Sequence, residues 1–363
     1  MTLEEKDLSL LIALQENPLA PASKLAKSIG QSTPTVISRL NALKEDQSYF
    51  SVSADVKPES LELEIIDVLL KIDNFEDVEY FEKHISFNHP FTLFRIRCFG
   101  KINGIYAQFR IPIGSKQLLV DLIDHLKSIG KIQDYFLPST WSPAYAIYSK
   151  ANLSCWEPQL MRWIFDWKKW FSKYDKQSTQ PVARKLEQSY LQNIDELDAA
   201  LLEEITMDAR RKNTDIMDNL KLDKNHTGLP QKVSRKLNFL YDKIAFQFRV
   251  FLQWETFEIF NSFLAICQCS RETSSKLQNL LAKEEIPFQS VFKITNEGFL
   301  WYIRCPASHF SNISEIIWKI GDKVDFYFLD YKNSSYYGLW KGAYDAQNHQ
   351  WKTELMKKEE VIK

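Results

Sequence analysis

Glycine is scarce in this chain, with ten in 363 residues against an average usage of about 7%. That leaves little room for glycine-rich phosphate loops, and neither G-x-x-x-x-G-K-S/T nor G-x-G-x-x-G occurs. Cysteine is thin as well. Cys98, Cys155, Cys267, Cys269 and Cys305 are odd in number, and their one close pair is separated by a single residue, so neither a disulfide framework nor a zinc site is expected. The six histidines include no H-E-x-x-H and no i, i+4 pair, and no G-x-S-x-G elbow is present. No catalytic residue, metal ligand or cofactor is therefore assigned, and the chain does not read as an enzyme. No apolar run approaches about 18 residues, and the N-terminal MTLEEKDLSL is acidic where a secretory signal is basic. The expectation is a cytoplasmic protein without membrane attachment. Charge of one sign is also lacking: 46 Lys and Arg stand against 47 Asp and Glu, so any nucleic-acid surface has to be a local patch.

What is present is a core-forming composition, 45% hydrophobic and 13% aromatic, enough for two or more domains. The first fifty residues read as three short helices. Thr2 and Glu5 have capping-box spacing before Leu8, Leu11, Ile12 and Leu14. A second helix carries Leu25, Ala26 and Ile29. Ser32 or Thr33 then caps a third, with Pro34 at its first position and Val36, Leu40 and Leu43 on one face. Beyond Asp46 the order of strand-like and helix-like runs is β-α-β-β-α-β, ferredoxin-like, with Asn103-Gly104 as a hairpin signal.

The same series then recurs. Asp198–Ile205 matches Asp7–Leu14 at an offset of 191 residues. After six extra residues around Asp223–Gly228, Val233, Leu237, Asn238 and Leu240 coincide with Val36, Leu40, Asn41 and Leu43 at an offset of 197. One order repeated across two halves marks a tandem duplication. The fold class expected is α+β: two tandem units, each a winged helix-turn-helix followed by a ferredoxin-like domain, with a Trp-rich helical linker. The boundaries are 1–50, 51–145, 146–193 (linker), 194–244, 245–335 and 336–363 (aromatic, charged tail).

This arrangement resembles the Lrp/AsnC (feast/famine) family of transcription regulators over residues 1–140 and again over 194–332. The best-matched stretch is Leu25-Ala-Lys-Ser-Ile-Gly-Gln-Ser-Thr-Pro-Thr-Val-Ile-Ser-Arg-Leu-Asn-Ala-Leu43, where that family has its helix-turn-helix. The segment 51–60 is similar to its linker strand. The resemblance implies sequence-specific binding of double-stranded DNA, with the third helix of each unit in the major groove. It places the DNA-binding residues at Thr33, Thr35, Ser38 and Arg39 in the first unit. Gln231, Lys232, Arg235 and Lys236 are their counterparts in the second, where four Lys or Arg against Asp242 give Leu229–Lys243 a local charge of about +3. It further implies a pseudo-dimer built into one chain and a possible homo-oligomer through the ferredoxin-like sheets. The family's effector motif, a glycine followed three residues later by aspartate, reads Gly104…Ala107 and Gly298…Trp301 here. The aspartate is missing twice, which argues against a small-molecule effector bound in the family's manner.

Two alternatives share the architecture. Siroheme decarboxylases are similar to paired or fused Lrp/AsnC units, and Asn88-His89-Pro90-Phe91-Thr92-Leu93-Phe94 is similar to their histidine-containing strand. His89 has no counterpart in the second half. The other alternative is a protein-binding scaffold that has lost DNA contact. Between Trp156 and Lys176, the residues Trp163, Trp167, Trp170, Phe171 and Tyr174 have the spacing of one helix face. The expectation is a helix docked by that face on the first domain, with a shorter counterpart around Tyr344 and Trp351.

Overall fold

The computed structural model describes residues 3–46, 48–141, 146–183 and 188–362. Each half opens with three helices. In the first half these are α1 (Glu5–Glu16), α2 (Ala22–Ser28) and α3 (Thr33–Asn41), which bury Leu10, Leu14, Leu25, Val36 and Leu40 against one another. Thr2 lies outside the described residues; α1 begins at Glu5, where the Asp7 carboxylate accepts from the Glu4 backbone N–H at 3.1 Å. Of the two candidate caps for α3, it is Ser32 that accepts, from the Thr35 N–H at 3.3 Å. The second half repeats the trio as Glu196–Met207, Asn213–Asn219 and Leu229–Phe239. Its longer turn enters the last helix through Gly228 at φ +83°, a conformation natural to glycine.

After α3 come β1 (Phe50–Val56), β2 (Leu63–Lys71), β3 (Thr92–Gly100), β4 (Gly104–Pro112), β5 (Asp134–Phe136), β6 (Ile147–Ser149), β7 (Trp156–Glu157) and β8 (Arg162–Trp163). The second half gives β9 (Ala245–Leu252), β10 (Ser262–Gln268), β11 (Ser290–Thr295), β12 (Gly298–Ile303), β13 (Lys323–Tyr336), β14 (Tyr344–Asp345) and β15 (Gln350–Trp351). Helices Phe75–Tyr80 and Lys116–Ser128 in one half, and Arg271–Lys283 and Ala307–Ile320 in the other, complete two ferredoxin-like domains. Glycine recurs at Gly104 and Gly298 because a Cβ there would stand 2.2 Å from the Leu70 carbonyl oxygen and 2.0 Å from that of Cys267.

All the ferredoxin strands join one nine-stranded antiparallel sheet in the order β5-β2-β4-β3-β13-β10-β12-β11-β6. Side chains far apart in that order nevertheless touch. Phe94 on β3 and Tyr302 on β12 have ring centroids 6.1 Å apart, and Lys293 on β11 reaches Asp67 on β2 at 2.7 Å. The sheet therefore folds so that its two halves face each other across a layer built from Leu69, Ile96 and Tyr106 of the first half and Leu264, Leu300 and Leu329 of the second. The end of each half crosses over: β13 pairs with β10 over Lys323–Leu329 and, from Tyr327 onward, with β3 on its other edge, and the chain beyond β5 pairs with β11 through β6. The sheet face that the sequence offers to a second copy is filled by the other half of the same chain.

The two linker strands also pair with each other, β1 with β9, from Phe50↔Leu252 to Asp55↔Gln247. This antiparallel ribbon carries the two helical trios, and each trio packs across it on the strand of the other half. The Ala209 N–H donates to the Val52 carbonyl at 2.7 Å.

The Trp-rich segment is not a helix, contrary to the expected helical linker. It is an extended strap with the β7–β8 hairpin, one short α-helix of five residues, Trp167–Phe171, and a single 3-10 turn at Tyr174–Lys176. Pro158 and the left-handed Met161 (φ 48°) turn the chain too tightly for a helix to run through. The strap docks on the second half, not the first: the Trp163 indole donates to the Phe257 carbonyl at 2.8 Å, and the Trp167 indole donates to His309 Nδ1 at 2.8 Å. The β14–β15 hairpin does the reciprocal. Its Trp351 indole donates to the Leu61 carbonyl of the first half at 2.7 Å, and His349 takes the left-handed turn (φ 47°). The halves are thus held by exchanged strands and exchanged straps.

Candidate nucleic-acid interface and an interior cavity

The third helix of each trio turns its apolar stripe, Val36 and Leu40 or Val233 and Leu237, to the core. Helical periodicity then leaves Thr35 and Ser38 exposed on α3, and Gln231, Lys232 and Arg235 exposed on Leu229–Phe239. Thr33, the first residue of α3, is half-buried. Thr35 is partly engaged, since its hydroxyl lies 2.7 Å from that of Ser32. Ile37, 46% accessible, sits between the polar pair, an exposed apolar side chain that helical periodicity places on the same outer face. Its β-branched apolar side chain suits a thymine methyl group.

Arg39 and Lys236 stand apart from this set. Arg39 donates to Asp7 at 2.5 Å and Glu4 at 2.7 Å, and Lys236 donates to Asp198 at 2.6 Å and Asp195 at 3.0 Å. The acids are at corresponding positions at the start of the first helix of each trio, so the same clamp was duplicated with the unit. Both cations hold the third helix against the first.

The two trios are also tied to each other. Lys44 pairs with Asp208 at 2.7 Å, and Arg210 donates to the Pro18 and Ala20 carbonyls at 2.6 and 2.9 Å. These contacts, together with the β1–β9 ribbon, fix the two third helices in one body.

Under that ribbon, between the facing sheets, lies a cavity of about 990 Å³. Its cationic lining is Lys57, Arg110, Arg249, Lys293 and Arg304, against the carboxylates Asp55, Glu59 and Glu64. Several of these groups are already satisfied. Asp55 receives Arg249 at 2.6 Å and Gln247 at 2.8 Å. Lys293 is bound to Asp67, which also accepts from the Tyr106 hydroxyl at 2.6 Å and the Gln108 amide at 2.7 Å. Arg110 and Arg304 are not paired with any carboxylate among the described residues. Burial pushes the Arg110 guanidinium down to about 10, so it remains cationic near neutral pH. The pair carries a signature in the sequence: Arg110-Ile-Pro112 ends β4 and Arg304-Cys-Pro306 follows β12, the third ferredoxin strand of each half.

His89 does not reach this cavity. It lies on the helix-covered side of the sheet, 4.8 Å from the Phe109 ring, with Nδ1 accepting from the Phe91 N–H at 3.2 Å and Nε2 buried without a partner. Burial alone pushes it down to about 3. None of the six histidines lines the cavity.

Residues 3–44 match the AsnC-type helix-turn-helix domain. No curated protein matches the chain by sequence. Among solved structures, the siroheme decarboxylase NirDL in co-complex with an iron-uroporphyrin III analogue is similar over 97% of this chain and 99% of its own, at 11% identity and a TM-score of 0.55. NirDL on its own gives 90%, 91%, 11% and 0.53. E. coli AsnC covers 38% of this chain and 91% of its own, at 18% identity and a TM-score of 0.31. At such identity the likeness to NirDL is one of fold. The chain is an α+β protein of two like halves that shares its overall fold with NirDL and carries an AsnC-type helix-turn-helix domain at residues 3–44.

Proposed function

We propose that this chain is a sequence-specific DNA-binding regulator in which a pseudo-dimer presents two unlike third helices to one duplex. The observation that carries the reading is the division of labour on those helices. Arg39 and Lys236 anchor them from behind, while Thr35, Ser38, Gln231, Lys232 and Arg235 stay exposed. Short polar and amide groups near a helix N-terminus suit base edges, and the two exposed cations suit phosphates. The DNA site expected is an imperfect palindrome, because the two readers differ in sequence. The test is salt-dependent retention of genomic fragments by the purified chain. Failure to retain any duplex above a random competitor rejects the reading.

A second reading, an enzyme like the siroheme decarboxylases, is favoured by the full-length fold likeness and by the interior cavity. The lining offers arginine, lysine and tyrosine but no histidine, so proton transfer by an imidazole has no donor there. Addition of siroheme to the purified chain separates the readings. A saturable spectral change with loss of carboxylate from the added siroheme as CO2 supports the enzyme, and an unaltered spectrum removes it.

A further inference from the structure

Arg110 and Arg304 occupy the same place in the duplication. Each lies six residues beyond the hairpin glycine of its half, Gly104 or Gly298, and two before a proline. Their backbones are anchored alike, with the Arg110 N–H donating to the Phe91 carbonyl at 2.8 Å and the Arg304 N–H to the Gln289 carbonyl at 3.0 Å. Both line the inter-sheet cavity, and both are buried, at 7% and 5% accessibility.

A buried guanidinium is retained cheaply only when a counter-charge and hydrogen-bond acceptors meet it. Here they do not. No hydrogen bond or ion pair to the Arg110 side chain occurs among the described residues, and Asp55, the carboxylate whose charge acts on it, is taken by Arg249 in a bidentate grip. Arg304 lies over the Tyr331 ring at 4.5 Å and, among the described residues, donates once, to the Tyr302 hydroxyl at 3.0 Å, while its Nε is buried with no partner among them. The space in front of them is lined by apolar and aromatic groups such as Ile65, Val291, Phe246 and Tyr331. About 990 Å³ is at the upper end of what small-molecule sites offer.

We propose that this cavity binds an organic dianion with an apolar body, one acidic group received by Arg110 and the other by Arg304. The acidic groups are carboxylate or phosphate, either of which a guanidinium holds through two parallel hydrogen bonds. The site differs from the family's effector position, whose aspartate is absent here, and it stands whether or not the chain binds DNA.

The test uses the full-length chain with two probes, bis-ANS, whose tetrahedral sulfonates stand in for phosphate, and biphenyl dicarboxylate, both aromatic dianions, and the uncharged N-phenyl-naphthylamine as the control. Fluorescence titration and calorimetry are expected to give saturable binding of at least one dianion at one per chain, with a rise in Tm. Arg110→Gln and Arg304→Gln should each weaken dianion binding by about tenfold and the double variant by about a hundredfold. Binding of the neutral probe should change less than about twofold. Glutamine removes an uncompensated buried charge, so the variants should fold with equal or higher Tm; Arg110→Lys, which keeps the charge but loses the fork, should fall between. Dianion affinity unchanged in the double variant, or no saturable binding of either dianion to the native chain, overturns the proposal.

Discussion

Arg39 and Lys236 look like phosphate contacts in a sequence because helical position is all that a sequence displays. Their carboxylate partners lie more than thirty residues away, and only packing brings them together. The distinction can be measured. Lys232→Ala and Arg235→Ala should each lower the slope of log K against log salt by about 1 and leave Tm unchanged. Arg39→Ala and Lys236→Ala should lower Tm and weaken binding while preserving the slope. A loss of slope in the Arg39 variant would return that residue to the interface. The Asp67 site makes a stability prediction. Asp67→Ala leaves Lys293 buried and unpaired, and should cost about 3–5 kcal/mol in denaturant unfolding. His89 sets a pH dependence. Its folded pKa, about 3, lies below the unfolded value near 6.5. The unfolded chain therefore takes up a proton that the folded chain refuses, and the protein loses stability as pH falls through that window, by up to about 1.4 kcal/mol per pH unit. His89→Gln should flatten this acid slope; an equal slope in the variant would show that the ring titrates freely in the folded state.

At the level of elements, the order of helices and strands was legible because amphipathic period and turn chemistry are local. The left-handed residues repeat as well, Glu62 with Glu258 at φ 56° and Met161 with His349 near 48°. Partners were not legible. Trp163, Trp167 and Trp170 stand at helical spacing, yet Pro158 and Met161 break the helix, and their docking site is 94 to 142 residues away. A strap and a helix can share a spacing; what separates them is the surface they meet. The exchange has a consequence for stability. Trp351 belongs to the second half by chain position, but it is buried against Phe91 and Leu61 of the first. Trp351→Ala should cost about 3–5 kcal/mol and loosen hydrogen-exchange protection in the first half, around Lys116–Ser128. Trp163→Ala should do the same in the second half, around Ala307–Ile320. Protection lost only in the half that contains the mutation would contradict the exchange.

On the scale of the whole molecule, the duplication has been used to close a dimer-like body within one chain. The β1–β9 ribbon, the facing sheets, the crossing last strands and the reciprocal straps relate the halves by an approximate two-fold. Fusion lets corresponding positions diverge: Thr35 and Ser38 stand where Lys232 and Arg235 stand in the other unit. A homodimer presents identical third helices, whereas the exposed positions 35 and 38 of one unit are neutral and 232 and 235 of the other are basic, so under the proposed function the two half-sites would be read unequally. The most direct measurement is selection of bound genomic fragments by the native chain, followed by a salt titration of the best fragment with the native chain and with the Lys232→Ala/Arg235→Ala double variant. The account predicts two unlike half-sites in a fixed spacing and a slope lower by about 2 in the variant; recovery of no preferred duplex, or an identical slope in the two proteins, would contradict it.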